Sequence, residues 1–150
     1  MSKQKSNSGN ALASALAGEL RILISRLRRR LREQAHIGDY TWSQTSVITR
    51  LERDGPATVS ALARAEGVRQ QSMGATISTL VAAGLVEGSP DPADGRQTIL
   101  SLTDACREMI RASRAAKDDW LFHVIQAKLS PAEQQQIAAD LELLKRIADS

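Results

Sequence analysis

At 150 residues and 42% hydrophobic content, the chain can bury one real core and is too short for two independent ones. Its single cysteine, Cys106, excludes an internal disulfide and a multi-cysteine zinc site, no apolar run approaches the ~18 residues of a membrane span, and MSKQKSNSG at the start lacks a signal-peptide core. A formal charge of +3 suits a polyanionic partner without demanding one, and with aromatic residues at only 3% the core must come from Leu, Ile, Val, Ala and Met.

The expectation is a cytoplasmic protein with residues 1–9 as a disordered tail and 10–150 as a single unit. Leu12, Leu16, Leu20, Leu23, Leu27 and Leu31 step by four or three residues, which predicts one long amphipathic helix. The same helix carries Arg21, Arg26, Arg28, Arg29, Arg30 and Arg32, either a solvated face or an anion-binding patch, the former being preferred. His36, Gly38 and Asp39 break the pattern, so the helix ends near Gln34. Thr41 with Gln44 three residues on is a capping box for a second helix through Val47, Ile48 and Leu51, which Asp54, Gly55 and Pro56 end. Thr58 can cap a short third helix that buries Val59, Leu62 and Ala63 and closes at Gly67.

A fourth helix is expected between Val68 and Gly84. At about 100° per residue, Met73, Ile77, Leu80 and Val81 share a buried face. The opposite face is small and polar: Gln71, Ala75, Ser78 and Ala82 recur along it, with Ser72 and Thr79 beside them, and no charge follows Arg69 until Glu87. Ordinary surface helices carry Lys and Glu there, whereas this one could lie in a DNA major groove. Two helices joined through a glycine, with Ala63 four residues before Gly67, form a helix-turn-helix signature. The candidate DNA contacts are Arg69, Gln70, Gln71, Ser72, Gly74, Ala75, Ser78 and Thr79.

Leu85 and Val86 open a strand and Thr98 to Leu102 form another, separated by SPDPADGRQ, which can be neither helix nor central strand. A two-stranded hairpin after a helix-turn-helix is a wing. Its tip carries Arg96, a ninth candidate contact, suited to a minor groove or to an ion pair with Asp91 or Asp94. Thr103 caps a further helix with an expected stripe of Ala105, Met109, Ala112, Ala116, Trp120, Ile125 and Leu129. Ser130, Pro131 and Glu133 open the last, with Ile137, Leu141, Leu144 and Ile147. The terminal helices, 10–35 and 104–150, are too long to be used up covering a winged helix at 41–103, so their stripes are expected to meet a second copy.

This ordered set resembles the MarR family of bacterial transcriptional regulators. The carrying residues are the wing Asp91, Asp94 and Arg96, the following Leu102 and Thr103, and the flanking Leu62, Ala63, Gly84, Leu85 and Val86. The resemblance implies a mainly helical fold with a small β-hairpin wing, a winged helix-turn-helix flanked by long dimerisation helices. It implies a two-fold homodimer on a pseudo-palindromic double-stranded operator. It also implies an inter-domain pocket for a small-molecule effector, for which Tyr40 and Trp42 are candidates, with core or hinge packing the preferred role. No cofactor, metal or membrane partner is expected.

Other chemistry is sparse. His36 and His123 lack metal-type neighbours, no phosphate-binding glycine loop occurs, and Cys106, although near a helix start and beside Arg107, reads as an inert thiol. Between Ala57 and Ser101 three arginines face four carboxylates, so DNA affinity must draw on amides, neutral donors and dimerisation. The reading is a non-enzymatic, dimeric, sequence-specific DNA-binding regulator, a repressor relieved by a small molecule. The alternative is a winged-helix protein-interaction module without DNA binding, for which the acidic balance and the short Ala75 argue.

Overall fold

The computed structural model describes residues 2–35 and 38–150. The elements follow in the order α1 (Ser2–Gln34), α2 (Trp42–Asp54), β1 (Ala57–Thr58), α3 (Val59–Glu66), α4 (Gln70–Ala82), β2 (Val86–Pro90), β3 (Thr98–Leu102), α5 (Asp104–Lys128) and α6 (Pro131–Ala148). They fall into two compact units, Ile37–Ser113 on one hand and Met1–His36 with Arg114–Ser150 on the other.

In the unit Ile37–Ser113, the caps read from the sequence are made. Thr41 Oγ1 accepts from the Gln44 amide while Gln44 Oε1 accepts from the Thr41 amide, and Thr58 Oγ1 accepts from the Ala61 amide. The wing has three strands rather than the expected two. Ala57 and Thr58 pair antiparallel with Leu100 and Ile99, and β2 pairs along the other edge of β3 from Val86↔Leu102 to Pro90↔Thr98, giving the order β1-β3-β2. A two-residue strand wedged between a proline and a helix cap leaves no periodicity to read. Pro90 is tolerated because β2 is an edge strand.

The core of this unit draws on every element but β1, whose Ala57 packs against it half-buried. Val47, Ile48 and Leu51 of α2, Leu62 and Ala63 of α3, and Met73, Ile77 and Leu80 of α4 pack with Leu85, Val86, Leu100, Leu102 and Cys106. Val81, expected on the buried face of α4, is exposed, because it lies about 70° round the helix from the centre of the Met73, Ile77 and Leu80 face. On α5, burial passes through Cys106, Met109, Ile110 and Ser113, while Ala105 and Ala112 of the expected stripe are exposed.

The second unit comprises α1, α6 and α5 from Arg114 onward. Helix α1 spans Ser2–Gln34, and the tail expected at residues 1–9 falls at its start. Arg30 stacks over the Trp120 ring at 5.5 Å, a cation–π contact within the unit. Leu12, Leu16, Leu23, Leu27, Ile137, Leu141, Leu144 and Ile147 nevertheless remain exposed. No helix among the described residues is long and apolar enough to cross a membrane.

Candidate nucleic-acid interface

The α3–α4 joint is built by one glycine. Gly67 lies at φ +67°, where L side chains are strained, and the turn closes with Val68 N–H donating to Ala63 O and Gly67 N–H to Arg64 O. Gly84, at φ +74°, repeats the arrangement at the end of α4, with Leu85 N–H donating to Leu80 O. In both turns a backbone reversal is locked, and after Gly84 it delivers Leu85 into the core, whereas Val68 after Gly67 stays exposed. Helix α4 is therefore held at both ends, with Met73, Ile77 and Leu80 inward and Gln71, Ser72, Ala75, Ser78 and Thr79 outward.

The expected contact residues divide into free and engaged groups. Gln70 Nε2 donates to Ser60 Oγ, tying the start of α4 to α3. Gln44, after closing its own cap, donates from Nε2 to Thr79 Oγ1 at 2.9 Å, and Thr79 Oγ1 donates in turn to Thr76 O. Gln70 and Thr79 thus hold the helix in place. Ser78 Oγ donates back to Gly74 O at 3.0 Å, and half-buried Gly74 presents no side chain. Arg69 sits at the N-cap in extended backbone without a side-chain capping bond, so its guanidinium is exposed at the positive end of α4. Among the described residues, the side chains of Gln71 and Arg69 make no hydrogen bond.

In the wing loop the two aspartates serve the backbone and leave the arginine alone. Asp91 Oδ1 accepts from the Ala93 amide at 2.9 Å and Asp94 Oδ1 from the Arg96 amide at 3.1 Å, while Asp91 N–H donates to Gln97 O. The ion pair considered for Arg96 is not formed among the described residues, and its side chain is exposed. Thr103 fastens the base of the wing: its Oγ1 donates to Gly84 O at 2.7 Å and accepts from the Cys106 amide. These bonds give the Asp-Asp-Arg and Leu-Thr pattern a mechanical meaning.

Electrostatics differ from the count along the sequence. Glu66 is taken up internally, accepting from Arg50 Nε at 2.7 Å and from Ser46 Oγ at 2.8 Å, and these bonds, Arg50's foremost, hold its carboxyl below the usual range. The carboxylate that tipped the count against DNA is thus neutralised from α2. Sequence reasoning also missed a polar cleft of about 430 Å³ between α3, the start of α4 and the wing loop just before β3, lined by Ser60, Arg64, Gln70 and Gln97 among others. Its residues come from three elements, so no local spacing reveals it.

The remaining candidates have other roles. Tyr40 is half-buried against the winged-helix core, whereas Trp42 is 80% exposed. His36 lies outside the described residues. His123 is exposed and bonds through Nδ1 to Asp119 O, and no metal-binding cluster of His, Cys, Asp or Glu occurs among the described residues. Cys106 is fully buried, and desolvation raises its thiol pKa despite Arg107 nearby.

Residues 40–98 match the model of the MarR family. An uncharacterized HTH-type transcriptional regulator of Mycobacterium bovis is 34% identical over 134 residues, covering 89% of this chain and 93% of its own length. One from Mycobacterium leprae is 38% identical over 106 residues, 71% of this chain and 74% of that one. Among solved structures, a transcriptional regulator protein of Pseudomonas aeruginosa PA01 superposes with a TM-score of 0.77 at 32% identity, covering 92% of this chain and 97% of that one. A MarR mutant from Escherichia coli complexed with operator DNA shares the fold, with a TM-score of 0.54 at 22% identity over 89% of this chain and 93% of that one.

Proposed function

The chain belongs to the MarR family of HTH-type transcriptional regulators, and from that premise we propose that it is a homodimer that binds a pseudo-palindromic operator. The observation that carries this reading is the outward face of α4, where Gln71, Ser72, Ala75 and Ser78 stand exposed and uncharged on a helix held at both ends. Such a face can approach base edges closely, and the Gln71 amide can bond two positions on an adenine. Arg69 at the helix start and Arg96 on the wing supply charge to the phosphates or the minor groove on either side. The operator-bound E. coli relative shows this fold on DNA, which supports the reading.

Dimerisation follows from the exposed apolar residues of α1 and α6, whose burial would be worth ~1.5–3 kcal/mol per large side chain. A two-fold dimer presents two α4 helices to half-sites about one helical turn apart. Occupancy of a promoter by such a dimer makes it a repressor, and release by a small molecule is its regulation, acting in the bacterial cytoplasm where the DNA is. Titration of the protein against DNA upstream of its own gene, with a scrambled duplex as control, tests the reading. Selective retardation by a dimer is expected; equal binding to both duplexes overturns operator recognition, and absent binding overturns the reading in favour of a protein-interaction module.

A further inference from the structure

The surplus positive charge of this chain is not on the winged helix. Ile37–Ser113 carries seven arginines against nine carboxylates, a balance of −2, whereas Met1–His36 carries eight basic and two acidic residues, a balance of +6. Six of those eight lie between Arg21 and Arg32 on α1. They are not equivalent. Arg29 and Arg30 share Glu33, at 3.9 and 3.1 Å, and Arg30 also covers Trp120. Arg21, Arg28 and Arg32 are exposed and have no ion pair among the described residues.

At 100° per residue, Arg21, Arg28 and Arg32 fall within a wedge about 40° wide, and the leucine stripe centres roughly 120° away around the helix. Glu19 and Glu33 both lie more than ~90° from this ridge. The three guanidinium groups are spread over about 16 Å of helix, a length suited to a polymer of charge and not to a single small anion. The ridge is flanked on one side by Ser14, Gly18 and Ser25, and on the other by Ala17, Ile24 and Leu31 toward the leucine stripe.

We infer that the Arg21, Arg28 and Arg32 ridge of α1 is a second, sequence-independent contact surface for DNA phosphates. The inference rests on the DNA-binding reading above and deepens it. The winged helix supplies recognition with little net charge, and α1 supplies the counterion release that recognition lacks.

The test compares wild type, a triple Arg21→Gln, Arg28→Gln, Arg32→Gln variant, the corresponding triple Lys variant, and Arg96→Ala. All are titrated over a range of salt on an operator duplex extended by several helical turns. Arg, Lys and Gln have nearly equal helix preference, so circular dichroism and sedimentation should match wild type. The Gln variant is expected to weaken binding on the order of tenfold or more at low salt. It should flatten the log affinity against log salt slope by about 0.9 per engaged arginine, up to about 5 per dimer. The Lys variant should retain both. Should the triple variant not fold, Arg28→Gln and Arg32→Gln singly read the same slope. Wild-type affinity and slope in the Gln variants, alongside weakened Arg96→Ala, overturn the inference and leave the operator reading intact. Wild type that binds no duplex at all overturns both.

Discussion

Arg50 and Glu66 meet at 2.7 Å, joining the middle of α2 to the last residue of α3. The carboxylate is largely buried, with 10% of its side chain exposed, and Ser46 donates to its second oxygen. This pair fastens the first helix of the helix-turn-helix to the helix before it.

Loss of this lock should be visible as pH-dependent stability. The folded pKa of Glu66 lies below its unfolded value, so its contribution is full above the unfolded value and disappears as pH falls through the folded one. Glu66→Gln is expected to cost about 1–2 kcal/mol near neutral pH. In urea unfolding, variant and wild type should converge in acid; a gap that persists unchanged there would show that the charge contributes nothing.

Gln71 and Arg96 should affect DNA binding differently. Gln71→Ala is expected to cost ~1–3 kcal/mol on the preferred operator and far less on scrambled DNA, because a bidentate base contact carries that discrimination. Arg96→Ala should weaken both duplexes and flatten the salt slope by about 2 per dimer. Gln70→Ala, by contrast, removes the bond to Ser60 and should show first in thermal stability. Identical profiles for the Gln71 and Arg96 variants would refute the division of roles.

Leu141 and Leu144, 47% and 40% exposed on α6, should lie in the dimer interface. Changing both to Asp is expected to yield a monomer by sedimentation equilibrium. A double variant that stays dimeric at low micromolar concentration would place the interface elsewhere.

Peroxide should leave this protein's DNA binding unchanged. Cys106 is fully buried, its thiol is pushed up by desolvation, and the chain holds no second cysteine to resolve a sulfenic acid. Cys106→Ser places a hydroxyl in the core at a cost of about 1–2 kcal/mol, with operator affinity retained. A peroxide response present in wild type and lost in the Ser variant would reverse this assignment.

The features legible in the sequence were those with local physical causes. The caps at Thr41, Thr58 and Ser130 are made within four residues of themselves, the left-handed turns at Gly67 and Gly84 need only a missing Cβ, and the Met73, Ile77 and Leu80 face follows from helical period. Tertiary structure decided which side chains remain free on those elements. Gln70 and Thr79 look like any exposed polar residue of α4 until Ser60 and Gln44 arrive from other helices. Glu66 counts against DNA binding until Arg50 takes up its charge, and β1 exists only because β3 lies beside it. Hydrogen bonds and ion pairs between elements depend on distances that no spacing along the chain encodes, so the sequence could identify α4 and its polar outer face while only the fold could separate the side chains that anchor it from those left unbonded.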